Sequence, residues 1–98
     1  MAFLDETLEQ IYNDGIKNGD GVNEIAKKVL DECFSRLPDE EVKYEYQFKQ
    51  FLNKLRQVEY SYRMFAERHK GVFVVDGFRR LYLKNVRMSE KTRRYLKW

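Results

Sequence analysis

The residues of this chain with the clearest potential for chemistry lie near its C-terminal end, where arginine and lysine alternate with aromatic side chains. Residues 71–98 contain eight Lys or Arg and two Asp or Glu, a net charge of +6, whereas residues 1–59 contain eight bases and thirteen acids, a net charge of −5. Cationic groups bind phosphates, and aromatic rings stack on bases. This combination predicts a polyanionic partner, most often nucleic acid.

Other kinds of chemistry find little support in the sequence. One cysteine and one histidine are too few for the usual zinc sites, and no glycine-rich phosphate-binding motif is present. Cys33 lies among apolar helical positions, so we expect a buried core thiol. His69 lies on the apolar side of a predicted helix, so we expect a structural role. We therefore expect no enzymatic activity, no metal and no cofactor.

Two short helices are predicted in the first third of the chain, from apolar residues that recur at helical spacing. The first is expected to end near residues 13–15, and the second to run over residues 22–37, where Pro38 stops it. The stripe of the first is Phe3, Leu4, Leu8, Ile11 and Tyr12; that of the second is Val22, Ile25, Ala26, Val29, Leu30, Cys33, Phe34 and Leu37.

A third, long helix is predicted over about residues 39–70, because no Gly or Pro interrupts an apolar heptad pattern there. The apolar residues of this pattern form a seam along one side of the helix. The seam either forms the core with the first two helices or pairs in part with a second copy of the chain. It begins at Tyr44 and ends at His69, and the candidate dimer seam within it is Phe48, Phe51, Leu55, Val58, Tyr62 and Phe65.

The opposite face of this helix carries Tyr46 and Tyr60 with Lys49, Arg56 and Arg63 at neighbouring positions. These residues could extend a binding surface, or they could be where the C-terminal segment packs.

A β-hairpin is predicted over residues 71–86, because Asp76-Gly77 separates two runs of strand-forming residues. Alternation places Phe73, Phe78 and Tyr82 on one face, flanked by Arg80 and Lys84. Such a face could stack unpaired bases, or a helix or the tail could cover its rings.

A basic hairpin tip and a basic tail complete the predicted binding surface. Arg79 and Arg80 at the tip could enter a DNA groove, or the tip could be a solvated turn. The tail could bind phosphates, or it could be a solvated helix face or contact the acidic half of the same chain. The candidate residues of the hairpin and tail together are Phe73, Phe78, Arg79, Arg80, Tyr82, Lys84, Arg87, Lys91, Arg93, Arg94 and Lys97.

The sequence thus predicts a mainly α (α+β) fold in a single domain, residues 1–98. It comprises a helical body (1–70) with three helices, a β-hairpin (71–86) and a short basic tail (87–98). The expected function is that of a small non-enzymatic nucleic-acid-binding or regulatory protein. The alternative is a protein–protein interaction module or inhibitor, homodimeric through the long helix or docked on an acidic protein surface. No run of about 20 apolar residues and no signal peptide is found, so we expect a cytoplasmic protein without membrane contact.

Overall fold

The computed structural model describes residues 5–37, 44–69, 71, 73–85 and 93–94. Its four helices are α1 (Glu6–Lys17), α2 (Val22–Ser35), α3 (Glu45–Arg68) and α4 (Phe78–Asn85). The three predicted helices of the body are confirmed, with different ends. Helix α1 continues past Gly15, and α3 begins at Glu45 because the backbone of Tyr44 is extended. No helix in these ranges is both long and apolar enough to cross a membrane.

An ion pair joins the start of α1 to the end of α2. The Asp5 carboxylate accepts a hydrogen bond from the backbone N–H of Leu8 and so caps α1. It also accepts two hydrogen bonds from the Arg36 guanidinium, at 2.7 and 3.1 Å. Because both ends of the pair are largely shielded from solvent, this contact fixes the antiparallel arrangement of the two helices.

The middle of the α1–α2 pair is held close by Gly15. A Cβ atom at this position would lie 2.5 Å from Cγ1 of Ile25, well inside van der Waals contact. Since Ile25 is buried in the core, it has little room to move away. Gly15 is therefore needed for the approach of α2, although the sequence suggested that it would end the first helix.

The inner face of α3 forms the centre of the core. All six residues of the candidate dimer seam are buried within the single chain: Phe48, Phe51, Leu55, Val58, Tyr62 and Phe65. Five of them belong to one apolar cluster with Leu8, Ile25, Val29 and Cys33 of the first two helices. The seam is thus already covered inside the monomer, and a second copy would have to find another surface.

The described part of residues 71–86 does not show the predicted β-hairpin, because residues 78–85, expected in its second strand, form the helix α4. The described residues contain no β-strand. Residues 78–85 hold good helix formers and no β-branched side chain, and Phe78 and Tyr82 share one face of a helix. Gly77, at φ 94°, precedes the helix, and its carbonyl accepts the hydrogen bond from Leu81 N–H. The Asp-Gly pair therefore starts a helix.

Replacing Gly15 by alanine should destabilise the protein by about 1–2 kcal/mol. The clash of the new methyl group with Ile25 costs more free energy than the better helix propensity of alanine gains. Chemical denaturation followed by circular dichroism measures the change. Gly21→Ser is the matched control, because Gly21 has φ −70° and open space around its Cα. Equal stability of Gly15→Ala and the wild type would contradict the close approach.

Replacing Asp5 by asparagine should cost about 1–3 kcal/mol at neutral pH, because Arg36 loses its carboxylate partner. The hydrogen bonds from Arg36 lower the pKa of Asp5 below its usual value. The stabilisation is therefore present above the ordinary aspartate pKa of about 4 and is lost as the pH falls through the lower, folded-state pKa.

The free energy of unfolding, measured between neutral and strongly acidic pH, should accordingly fall less steeply below about pH 4 for Asp5→Asn than for the wild type. Asp31→Asn removes an exposed carboxylate of α2 and is the charge-matched control. Parallel pH curves for Asp5→Asn and the wild type would show that the ion pair does not stabilise the fold.

Candidate nucleic-acid interface

The aromatic rings predicted to form an exposed binding face are part of the core. Phe73, Phe78 and Tyr82 retain 7%, 2% and 2% of their accessible surface. The Phe78 ring packs 5.5 Å from Phe34 and 5.3 Å from Tyr62, measured between ring centroids. The expectation that these rings lie open to a base is therefore wrong, because the apolar face of α4 is needed to close the core. The alternative, that a helix covers them, is what the structure has.

The cations predicted near the hairpin tip differ in their surroundings. Arg79 is paired with Glu59 of α3 at 3.1 Å, and its side chain is only 14% exposed. This contact places the start of α4 beside the middle of α3. Arg80 and Lys84, in contrast, are exposed on α4.

The predicted tail is described only at Arg93 and Arg94. The guanidinium of Arg93 donates a hydrogen bond to the carbonyl oxygen of Leu83, and Arg94 is exposed. Arg87, Lys91 and Lys97 lie outside the described residues. Their part in binding stays a prediction.

A second group of cations and rings lies on the side of α3 that faces away from the core. We call it the α3 outer surface and define it as Tyr46, Lys49, Arg56, Tyr60 and Arg63. These residues follow one another at intervals of three, seven, four and three, so they share one face of the helix. All five are exposed. The possibility that the C-terminal segment packs over this face is not realised by α4, which lies against the buried rings.

Tyr60 stands at the centre of this surface. Its side chain keeps 57% of its accessible surface, with Arg56 one turn before it and Arg63 one turn after it. Two depressions share Tyr60 and Arg56. One, of about 400 Å³, is also lined by Arg63, Met64 and the carboxylates of Glu59 and Glu67. The other, of about 500 Å³, is also lined by Gln57 and Ser61. A planar group could therefore lie against the tyrosine ring within reach of a guanidinium.

Tyr44 and Tyr46 form a second aromatic feature at the start of α3. Their rings are stacked, with centroids 5.9 Å apart and planes inclined by 8°, and both side chains are 60% exposed. The sequence placed Tyr44 at the beginning of the buried seam. Because α3 starts one residue later, Tyr44 leaves the apolar face and supports the Tyr46 ring.

The carboxylates near the α3 outer surface pair only weakly with its cations. These cations can therefore bind another anion. Glu45 is 4.0 Å from Lys49, and Asp76 is 3.9 Å from Arg63, with all four side chains mostly exposed. Solvent-exposed pairs at such distances contribute little, so a phosphate could replace the carboxylate at small cost.

The residues that most often act as nucleophile or base are engaged in the core. Cys33 is completely buried, and this burial raises the pKa of its thiol to about 12. His69 packs on the Tyr12 ring at 4.0 Å, and its Nε2 lies 2.8 Å from Oε2 of Glu9. Among the described residues, no group of three His, Cys, Asp or Glu side chains is arranged to hold a metal ion.

No protein-family model matches this chain, and no curated protein or solved structure matches it at a significant level. A function is therefore inferred from the chemistry of its surface.

Tyr60 and Tyr62 provide a direct test of which face of α3 is free. Tyr60→Ala should change the free energy of unfolding by less than about 0.5 kcal/mol, because an exposed ring makes few contacts. Tyr62→Ala should cost about 3–5 kcal/mol, because this ring is buried and its hydroxyl donates to the carbonyl of Val74. Urea denaturation measures both variants. A large loss of stability in Tyr60→Ala would mean that this residue is part of the fold and not of an open surface.

Proposed function

We propose that the chain is a small, non-enzymatic nucleic-acid-binding protein and that the α3 outer surface is the centre of its binding site. The observation that carries the proposal is the exposed Tyr60 ring between the exposed guanidinium groups of Arg56 and Arg63. Cations supply phosphate contacts that do not depend on base sequence, and the ring supplies a surface for a base.

The distribution of charge supports this proposal. The half-buried Glu59–Arg79 contact engages a carboxylate that would otherwise oppose the cations of α3. It also brings the beginning of α4 next to α3, and the next residue along α4 is the exposed Arg80. Arg80, Lys84 and the basic residues of the tail would then add phosphate contacts to those of α3. The protein would have a regulatory role if its binding kept other molecules away from the nucleic acid.

A protein–protein interaction module is the second candidate. It is favoured by the exposed Tyr44, Tyr46 and Tyr60 together with arginine, since tyrosine and arginine are enriched in protein hot spots. The cations of the same surface would dock on an acidic protein. Homodimerisation through the α3 seam is not part of this candidate, because the monomer's own core covers the seam.

Titration of fluorescent oligonucleotides at about 50 and 200 mM salt tests nucleic-acid binding. We expect an affinity that falls steeply between the two conditions, because binding releases counterions from the phosphates. The variant Arg56→Ala/Arg63→Ala should bind more weakly. The slope of log affinity against log salt should be smaller by about 1.4 on single strands and about 1.8 on duplex, the effect of two lost phosphate contacts.

The matched control is Lys17→Ala/Lys27→Ala, which also removes two exposed cations but from α1 and α2. It should keep the wild-type salt slope. Equal losses in both double variants would indicate binding governed by net charge alone, without the proposed surface. Absence of binding even at about 50 mM salt would exclude the nucleic-acid function and leave the protein–protein candidate.

A further inference from the structure

We propose that the α3 outer surface is a site for single-stranded nucleic acid, with Tyr60 as the platform for an unpaired base and Arg56 and Arg63 as its phosphate contacts. This inference rests on the proposed function and names its substrate class. It arises from the geometry of the helix and not from the net charge.

The spacing along α3 puts a cation on each side of the ring. Arg56 and Arg63 are seven residues apart, which corresponds to about 10 Å along the axis of a helix. Tyr60 lies between them on the same face. At about 3.4 Å of rise per nucleotide, a strand running along the helix could place two phosphates about three nucleotides apart near the guanidinium groups, while an intervening base turns towards the ring.

The shape of the surface around Tyr60 suits a flat, unpaired base. The two depressions of about 400 and 500 Å³ have the Tyr60 ring and the Arg56 side chain in common. The first is also lined by Met64, which offers an apolar contact, and by the carboxylates of Glu59 and Glu67. Among the described residues, the second has no acidic side chain in its lining, so it is the better place for a base and its phosphates. Arginine beside an aromatic ring allows a base to stack on either planar group. In a duplex the bases are already stacked on their neighbours, so this feature would be of no use there.

A second platform lies on the same face. Tyr46 precedes Tyr60 by fourteen residues, or about 21 Å along the helix, and Lys49 and Arg56 lie between the two rings. The Tyr46 ring is supported by Tyr44, with planes inclined by only 8°. At about 3.4 Å of rise per nucleotide, the two platforms would be spanned by about six nucleotides, or by fewer in a more extended strand.

Acidic residues mark the ends of the site. Glu45 lies at the start of α3 beside Lys49, and Glu67 follows Arg63 by one turn on the same face. Both carboxylates are exposed and would repel a phosphate. Glu67 also lines the depression of about 400 Å³ beside Tyr60, so it limits the site at the Arg63 end. The cations and rings between them therefore define a segment of limited length, as expected for a short stretch of single strand.

The test compares Tyr60→Ala with the wild type on oligo-dT, oligo-rU and a duplex, each about 12 units long, so that the expected site of about six nucleotides is exceeded. Fluorescence anisotropy at about 50 mM salt gives the affinities. Tyr60→Ala should bind the single strands roughly 5- to 150-fold more weakly, the range measured for loss of one stacking platform. Its affinity for the duplex should change by less than about twofold, because all cations remain.

The control variant Tyr60→Phe keeps the ring and should keep the affinity for single strands. Circular dichroism confirms that each variant is folded. The salt slope of Tyr60→Ala should equal that of the wild type, since stacking releases no phosphate counterions.

Two results separate the failure of this inference from the failure of the proposed function. Salt-sensitive binding of the wild type with equal affinities of Tyr60→Ala and wild type for single strands would overturn the stacking site while leaving nucleic-acid binding in place. No binding of the wild type to any of the three probes at low salt would overturn both.

Discussion

The packing of Phe78 and Tyr82 against α2 and α3 is the interaction on which the rest of the structure depends. Tyr82 lies 5.6 Å from Phe34 and 6.1 Å from Phe51, and Phe78 lies between Phe34 and Tyr62. Large rings of this kind bury much apolar surface, and each tilted contact between two rings adds to the stability of the fold. Because both rings come from α4, the core of the helical body is completed by the segment that follows it in the chain.

The docking of α4 also decides what α3 presents to solvent. The hydroxyl of Tyr62 donates a hydrogen bond to the carbonyl of Val74, and Arg79 forms an ion pair with Glu59. These contacts fix the segment between α3 and α4, and the start of α4, along one side of α3. The face with Tyr46, Lys49, Arg56, Tyr60 and Arg63 remains exposed. A single helix thus provides the centre of the core on one side and the candidate binding surface on the other, so the packing of the core sets the position of that surface.

Much of the body could be predicted from the sequence, because helical periodicity is a local signal. The heptad spacing of α3 identified its buried face, and the same spacing placed Tyr60 and Arg56 on the opposite face. The error came at residues 78–85, where alternation and the Asp76-Gly77 pair indicated a strand. The segment FRRLYLKN fits both periods, since a ring at 78 and a ring at 82 share a face in a strand and in a helix. Gly15 was likewise taken for a helix end, because no local pattern shows how close a neighbouring helix comes.

The sequence by itself determined the three helices of the body, the apolar face of each, the burial of Cys33 and the concentration of positive charge towards the C-terminal end. Only the tertiary structure decided that residues 78–85 are helical, that Phe73, Phe78 and Tyr82 belong to the core, and that Arg79 is paired with Glu59. The physical reason is that local spacing sets which side chains share a face. Whether that face meets water depends on apolar surface elsewhere in the chain that must be covered. Here the aromatic face of α4 covers Phe34 of α2 and Phe51 and Tyr62 of α3.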